Sequence, residues 1–231
     1  MMTHSDRKSA PSSVVPCNFD AGVSADLPFP AAAHRSFRRG DVVMGVDASS
    51  DTFAFVRSGI VNGVASHYDG REFILDVLSK GRFIGEFEVL RRCSSSLEFR
   101  SATDCTLDYY DGRHLRELCR RDEEFKERIL RRALERVVEL EERVVDKAYH
   151  SLPVRVAKVL LRLSRVYGSE TGVDSDELAI LQHDLAATLP ASREKVNKAL
   201  RRLREHAVVD IQHGVIRILD RNALRLHAES D

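Results

Sequence analysis

Residues 192–204 carry six basic side chains, Arg193, Lys195, Lys198, Arg201, Arg202 and Arg204, against one acid, Glu194. The whole chain of 231 residues is formally neutral, with 36 Lys and Arg facing 36 Asp and Glu. A local charge of about +5 therefore stands out against a balanced background. Such a density suits a nucleic-acid backbone, because each neutralised phosphate releases a counterion. Arg193, at the head of the stretch, can offer its fork to guanine O6 and N7, and Glu194 can accept from cytosine N4. An acid inside so basic a run weakens purely electrostatic binding and is useful for reading bases. The competing reading is a basic helix face that meets only water.

The surrounding pattern predicts a pair of short helices. Leu185, Ala186 and Leu189 form the inner face of the first, with Ala186 small where the second must cross closely. Pro190 and Ala191 make the turn, and Ser192 caps the second helix. Val196, Ala199, Leu200 and Leu203 recur at helical spacing on its apolar side. Proline cannot reach positive φ, so the turn at Pro190 is expected to avoid the left-handed conformation. Residues 208–218 read as two strands about a His213-Gly214 turn, a wing that brings His213 and Arg217 near phosphate. A helix over 154–167, stopped by Gly168, precedes the pair.

Residues 122–148 contain no Gly or Pro and repeat Phe125, Ile129, Ala133, Val137, Leu140, Val144 and Ala148 every three or four positions. The spacing predicts one amphipathic helix of about 40 Å, at 1.5 Å per residue. It either packs on its own domain or pairs with a second copy. The length of the seam favours the second, with Phe125, Ile129, Ala133, Val137, Leu140 and Val144 at the dimer interface. Ser151-Leu-Pro153 breaks this helix, Ser151 being placed to cap the next one and Pro153 to make a hinge.

Upstream of the helix, Gly and Asp turn signals recur about every ten residues, which predicts many short strands in a barrel or roll. Phe53 with Phe55, and Phe73 with Leu75 and Val77, alternate as half-buried strands do. The first thirty residues are rich in Ser, Pro and Ala and read as a flexible arm. The expected division is an arm over 1–30, a β-roll sensor domain over 31–117, a dimerisation helix over 118–150 and a winged DNA-binding domain over 151–231. No apolar run approaches the roughly 20 residues of a membrane span, and the N-terminus lacks the apolar core of a secretory signal. No membrane partner and a cytoplasmic location are expected. Cys17, Cys93, Cys105 and Cys119 are too dispersed for structural zinc or a thioredoxin-like pair and read as reduced thiols, so no metal site is expected. No nucleophile–base motif, metal pair or Walker loop is present, so no catalytic residue and no enzymatic activity are expected.

These residues together carry a resemblance. The text Ser192-Arg-Glu-x-Val-x-Lys-x-Leu-x-x-Leu203, followed by Val208-Val209 and the His-Gly wing, resembles the signature of the cyclic-AMP receptor protein family, the CRP/FNR regulators. Val56-Arg-Ser-Gly59, Gly70, Leu75, Leu78 and Gly81-Arg-Phe-Ile-Gly-Glu86 are similar to the β-roll pattern of the same family. The resemblance spans residues 36–220 in order and spacing. It implies an α+β fold: an N-terminal double-stranded β-roll of the cyclic-nucleotide-binding type, a long dimerisation helix and a C-terminal winged helix-turn-helix. It also implies a homodimeric transcription regulator that binds a palindrome in double-stranded DNA, with a TGA-like core in each half-site. Arg193, Glu194, Asn197 and Lys198 then hold the base-contacting positions, and Gln182, Ser192, Arg201 and His213 stand as phosphate contacts. RNA polymerase is a further partner if the protein activates.

The sequence departs from that family where cyclic AMP is bound. Members that bind it follow the Gly-Glu pair, about ten residues later, with an Arg-Ser that holds the cyclic phosphate. Here Gly85-Glu86 is followed by Ser94-Ser-Ser-Leu-Glu98, with no arginine before Arg100. Cyclic AMP is therefore not expected. The effector pocket is assigned to Gly85, Glu86, Ser95 and Ser96, whose serines can cradle another anion. Glu86 reads equally as a turn acid. An iron–sulfur cluster is not expected, since the N-terminal region holds only Cys17. Haem has candidate ligands in His67, Cys93 and Cys105, although Cys105 reads better as a small core residue. The alternative function is a β-roll ligand-binding regulator without specific DNA recognition, and the basic helix with its wing argues against it.

Overall fold

The computed structural model describes residues 27–48, 51–168, 174–212 and 214–230. Residues 1–26 of the expected arm and His213 of the expected wing lie outside the described residues.

Eight strands come first: β1 (Ala33–Phe37), β2 (Val42–Met44), β3 (Thr52–Ser58), β4 (Val61–Ser66), β5 (Glu72–Leu78), β6 (Phe83–Ile84), β7 (Glu98–Ser101) and β8 (Cys105–Asp111). A short helix, α1 (Glu86–Arg91), separates β6 from β7. The strands form two four-stranded antiparallel sheets, ordered β1-β8-β3-β6 and β2-β7-β4-β5. Ala54, Val56 and Leu107 from one sheet meet Val61 and Phe99 from the other in a closed apolar layer. This is the expected β-roll.

Strand β3 differs from its expected half-buried pattern. Phe53 and Phe55 are as buried as Ala54 and Val56 on the opposite face. The reason is a second layer: α1, α2 (Gly112–Arg121) and α3 (Glu123–Tyr149) cover the outer face of the first sheet. Phe53, Phe55, Phe83, Leu115, Phe125 and Ile129 make a separate cluster there. Leu27 and Phe29 pack against it, with the Phe29 ring edge-on to Tyr110 at 5.7 Å. The last residues of the segment expected to be a loose arm are thus docked.

One turn of the roll depends on the absence of a side chain. Gly59, between β3 and β4, has φ +80°, and a Cβ there would lie 2.3 Å from the Asp104 carbonyl oxygen and 2.6 Å from Cys105 Cβ. Both obstacles are fixed by neighbouring β8. Gly59→Ala should cost about 1–3 kcal/mol from the forced left-handed conformation alone. A urea titration with an unchanged midpoint would contradict this.

Asp122 caps α3 by accepting from the Phe125 N–H at 2.8 Å. At the other end Ser151 takes the capping position of α4 (Leu152–Tyr167), but its hydroxyl makes no capping bond, contrary to expectation. The joint is held instead by Asp146, whose Oδ1 accepts from Lys158 at 2.5 Å and pairs with His150 at 3.0 Å.

The C-terminal part continues with β9 (Glu177–Leu178), α5 (Gln182–Thr188), α6 (Arg193–Glu205), β10 (Val209–Gln212), β11 (Val215–Ile218) and α7 (Arg221–Glu229). Leu160, Leu163, Leu185, Leu200, Ile216 and Leu224 form its core. The wing is present, joined by β9 into a three-stranded sheet ordered β10-β11-β9. Asp220 caps α7, and Arg221 anchors it to Asp174 at 2.9 Å and Asp176 at 2.5 Å. The whole is the expected α+β arrangement of β-roll, long helix and winged helix-turn-helix.

The two parts touch. Arg143 of α3 donates to the carbonyls of Leu75 at 2.6 Å and Ile74 at 3.2 Å on β5, and to that of Thr188 at 3.4 Å at the end of α5. Val77 packs against the C-terminal core, and Arg39 lies 3.8 Å from Asp184.

Candidate nucleic-acid interface and ligand cleft

Helix α6 begins where Ser192 accepts from the Lys195 N–H at 3.4 Å. Val196, Ala199, Leu200 and Leu203 are buried against α4 and α5. That orientation fixes the opposite face. Arg193, Glu194, Lys195, Lys198, Arg201, Arg202 and Arg204 are all exposed. Among the described residues no side chain of these six cations makes an ion pair or hydrogen bond. On α3 the rule is the reverse: Lys126 pairs with Glu123 at 2.6 Å, Arg128 with Glu124 at 2.9 Å and Arg131 with Glu127 at 3.5 Å. A solvated helix face neutralises itself through such pairs. The face of α6 keeps its charge for something outside the chain.

Asn197 departs from the row expected to touch bases. It is half-buried, and its Oδ1 is buried without a hydrogen-bond partner. Gln182, the first residue of α5, is half-buried, and Ser192 is exposed but engaged in the cap. Arg217 of the wing is paired with Glu177 across the sheet at 2.5 Å. The turn before α6 also differs from expectation, since Pro190 has φ 21°. Arg155 donates to the Leu189 carbonyl and so closes the end of α5.

The expected dimer seam divides between two faces. Phe125 and Ile129 are buried in their own protomer against Phe53, Phe83 and Leu115. Ala133 and Leu140 are half-buried. Val137 and Val144 are exposed, and they share the outer face with Leu130, Leu134, Val138 and Val145. On the inner face, below Ile129, arginines replace the apolar residues. Arg132, Arg136 and Arg143 lie over the rings of Phe83, Phe87 and Phe73 at 5.6, 5.5 and 5.1 Å.

These arginines line a cleft between the roll and α3, floored by β5 and by the turn into α1. Gly85 and Glu86 belong to it. Glu86 is buried and sits 3.5 Å from Arg132, and Arg136 pairs with Asp76 at 2.7 Å. Ser95 and Ser96, expected in the same pocket, do not line it. Ser95 is buried in its own turn, donating to the Leu97 carbonyl at 3.0 Å and accepting from the Leu97 N–H at 3.1 Å, while Ser96 is exposed. Arg100, the first arginine after the serines, pairs with Glu72 at 2.7 Å and with Glu98. The cations that do reach the cleft, Arg82, Arg132, Arg136, Arg143 and Arg162, were not singled out in the sequence. Burial pushes Arg82 down to about 9 and Arg143 down to about 10, and holds Asp76 above the usual carboxylate range.

Of the candidate haem ligands, His67 is exposed, paired with Asp69 at 2.9 Å and packed on Tyr68. Cys105 is a core residue, 3.1 Å from Ser101 Oγ, and burial raises its thiol. Cys93 and Cys119 are free and half-buried. Among the described residues no three His, Cys, Asp or Glu side chains gather as a metal site, and no helix is long and apolar enough to cross a membrane.

Residues 34–122 match the family described as the cyclic nucleotide-binding domain, and residues 154–226 match the Crp-like helix-turn-helix domain. The chain is 26% identical over 166 residues to the cAMP-activated global transcriptional regulator Vfr of Pseudomonas aeruginosa, covering 70% of this chain and 78% of that one. It is 25% identical over 195 residues to the HTH-type transcriptional regulator Cmr of Mycobacterium tuberculosis, covering 84% and 76%. Among solved structures, FixK2 from Bradyrhizobium japonicum superposes with a TM-score of 0.75 at 18% identity, over 88% of this chain and all of that one. A transcriptional regulator of the CRP/FNR family from Thermus thermophilus superposes at 0.69 with 25% identity, over 86% and 99%.

Proposed function

The chain belongs to the CRP/FNR family of DNA-binding transcription regulators, and from that premise we propose that it works in the cytoplasm as a homodimer, without enzymatic activity of its own. Each protomer lays α6 in the major groove of one half of a palindromic operator. Arg193, Glu194 and Lys198 read bases. Arg201 and Ser192, with Gln182 and His213 at the flanks, meet phosphate. Asn197, half-buried in the free protomer, reaches a base only if its side chain turns outward. RNA polymerase is the further partner if the bound dimer activates.

The observation that carries this reading is the set of six cations on α6 that the protein leaves without internal partners. The cleft holding Gly85 and Glu86 is where a small effector acts on the assembly. Several relatives are named as cAMP-activated, but cyclic AMP is a poor fit here, because Arg100 is committed to Glu72 and Glu98. The test is selection of bound sequences from random double-stranded DNA by the full chain. An enriched two-fold-symmetric sequence is expected. Enrichment of no sequence, with binding governed by salt alone, would remove base reading and leave a β-roll regulator without DNA specificity.

A further inference from the structure

The DNA-binding part is joined to the long helix through His150 and Ser151, between Tyr149 at the end of α3 and Leu152 at the start of α4. A joint that short between two helices is a hinge unless something else holds the domains. Asp146 braces it through Lys158 and His150, but that brace sits beside the pivot and has little leverage over α6. Three contacts lie further out: Val77 of β5 on the C-terminal core, Arg39 at 3.8 Å from Asp184, and Arg143. Arg143 has the most directional of them. Its Nη1 donates to the Leu75 carbonyl at 2.6 Å, and its Nη2 donates to those of Ile74 at 3.2 Å and Thr188 at 3.4 Å. The guanidinium lies 5.1 Å from the centre of the Phe73 ring. One planar group thus joins α3, the outermost strand of its sheet and the last residue of α5. Carbonyls at a helix end have no partner within the helix. Here Thr188 is met by Arg143 of α3 and Leu189 by Arg155 of α4. Arg155 ties the turn to its own domain, and Arg143 ties it to the roll. That turn leads directly into the Ser192 cap and Arg193.

We propose that Arg143 is a positioning residue for operator binding: by pinning the end of α5 to β5 and to α3, it fixes the separation and angle of the two α6 helices in the dimer, and with them the half-site spacing the protein accepts. The inference rests on the homodimer and operator reading above and goes beyond it. Arg143 is placed to touch the roll and α5, not DNA, so it acts through the turn that delivers α6. The two copies of α3 meet at the seam, so whatever is pinned to α3 is placed relative to the twofold axis. In the pinned arrangement all six cations of α6 are exposed, so the pin presents the recognition helix rather than hiding it. One base pair added between half-sites moves the second by about 3.4 Å and turns it by about 35°. A pinned pair follows that turn only by breaking the bonds of Arg143, whereas an unpinned pair swings at the joint. The planar fork reaches carbonyls on two elements at once, which a compact ammonium group does less well.

The test compares the parent, Arg143→Gln and Arg143→Lys as full chains on three duplexes: the selected palindrome, the same with one base pair added at its centre, and a single half-site. The parent should favour the selected spacing. That preference should fall at least about tenfold in Arg143→Gln and by less in Arg143→Lys, as the preorganised placement of the two helices is lost. Affinity for the single half-site, its selected sequence and the slope of binding against salt should not change, because no phosphate contact is removed. A spacing preference equal in all three proteins overturns the proposal. So does an equal loss on the single half-site, since Arg143 then serves the fold, and so does tighter binding by the variants, since the pin then restrains α6. If Arg143→Gln does not fold at the assay temperature, Arg143→Lys decides alone. Small-angle scattering without DNA should show a broader spread of interatomic distances in Arg143→Gln than in the parent, and superimposable profiles also overturn the pin. If the parent selects a palindrome and the variants keep its spacing, only the role of Arg143 falls. If the parent selects no palindrome, the operator reading falls and the spacing role with it.

Discussion

Val137→Lys should leave the protein monomeric at micromolar concentrations where the parent chain is a dimer. Val137 is half exposed on the outer face of α3, within a series Leu130, Leu134, Val137, Glu141, Val144 and Ala148 spaced alternately by four and three residues. That is the spacing of a helix meeting its own copy in a parallel pair. The stripe covers most of the 27 residues of α3, and a patch so long is poorly tolerated in water. A lysine at position 137 places two ammonium groups near the twofold axis, each losing solvation with no acid opposite. The expected penalty is several kcal/mol, a rise of at least about 100-fold in the dissociation constant. Because Val137 makes no part of the protomer's buried clusters, the monomer should stay folded. Phe125, by contrast, lies in the roll's second cluster, and its loss would unfold rather than separate. Glu141 supplies an opposite test. It brings two like charges to the same seam, so Glu141→Leu should tighten the dimer while Val137→Lys loosens it. Sedimentation of the three proteins measures both. A parent chain that is monomeric with and without DNA, or a Val137→Lys protein with unchanged assembly, would refute the α3 seam.

The division of α3 explains how far its role could be read from the sequence. Phe125, Ile129, Ala133 and Val137 are separated by four residues each. A helix of 3.6 residues per turn advances about 40° with every such step. The stripe therefore winds off the roll and onto the free face, so one apolar pattern serves two surfaces. Periodicity shows the stripe but not the point at which it changes partner. Arg132, Arg136 and Arg143 were hidden for a related reason. In sequence they belong to a polar face dense in Glu and Arg, and nothing local distinguishes an arginine over a phenylalanine ring from one in water. Only the packing of α3 on the roll does so. The serines at 94–96 misled in the other direction, since a hydroxyl run suggests a cradle for an anion, whereas Ser95 spends both its hydrogen-bonding roles on Leu97. Helix α6 was legible because its cap, apolar stripe and free charges all lie within thirteen consecutive residues. Strand β9 was not, being two residues long and defined only by its pairing with β11.

Arg193→Ala and Arg201→Ala should both weaken DNA binding, and in different ways. Under the proposed operator reading, the two α6 helices of a dimer enter successive major grooves about one helical turn, roughly 34 Å, apart. Arg193 is the first residue of α6, beside the Ser192 cap, where a side chain can point along the helix axis into the groove. Its fork then meets a guanine, with Glu194 on the opposite strand. Removing it should cost about 1–3 kcal/mol per half-site and relax the preference at one base pair. Arg201 lies two turns further along the exposed face, where phosphate rather than a base edge is within reach. Its loss should weaken all sequences alike and lower the slope of binding against salt by about one unit per contact. A merely basic surface would respond equally to either change, because only the number of charges would count. Selection of bound sequences by the parent and both variants at one salt concentration, followed by salt titrations on the selected site, separates the two behaviours. If Arg193→Ala leaves the selected sequence intact and lowers affinity for all DNA uniformly, Arg193 contacts phosphate, and base reading must lie with Glu194 and Lys198 alone.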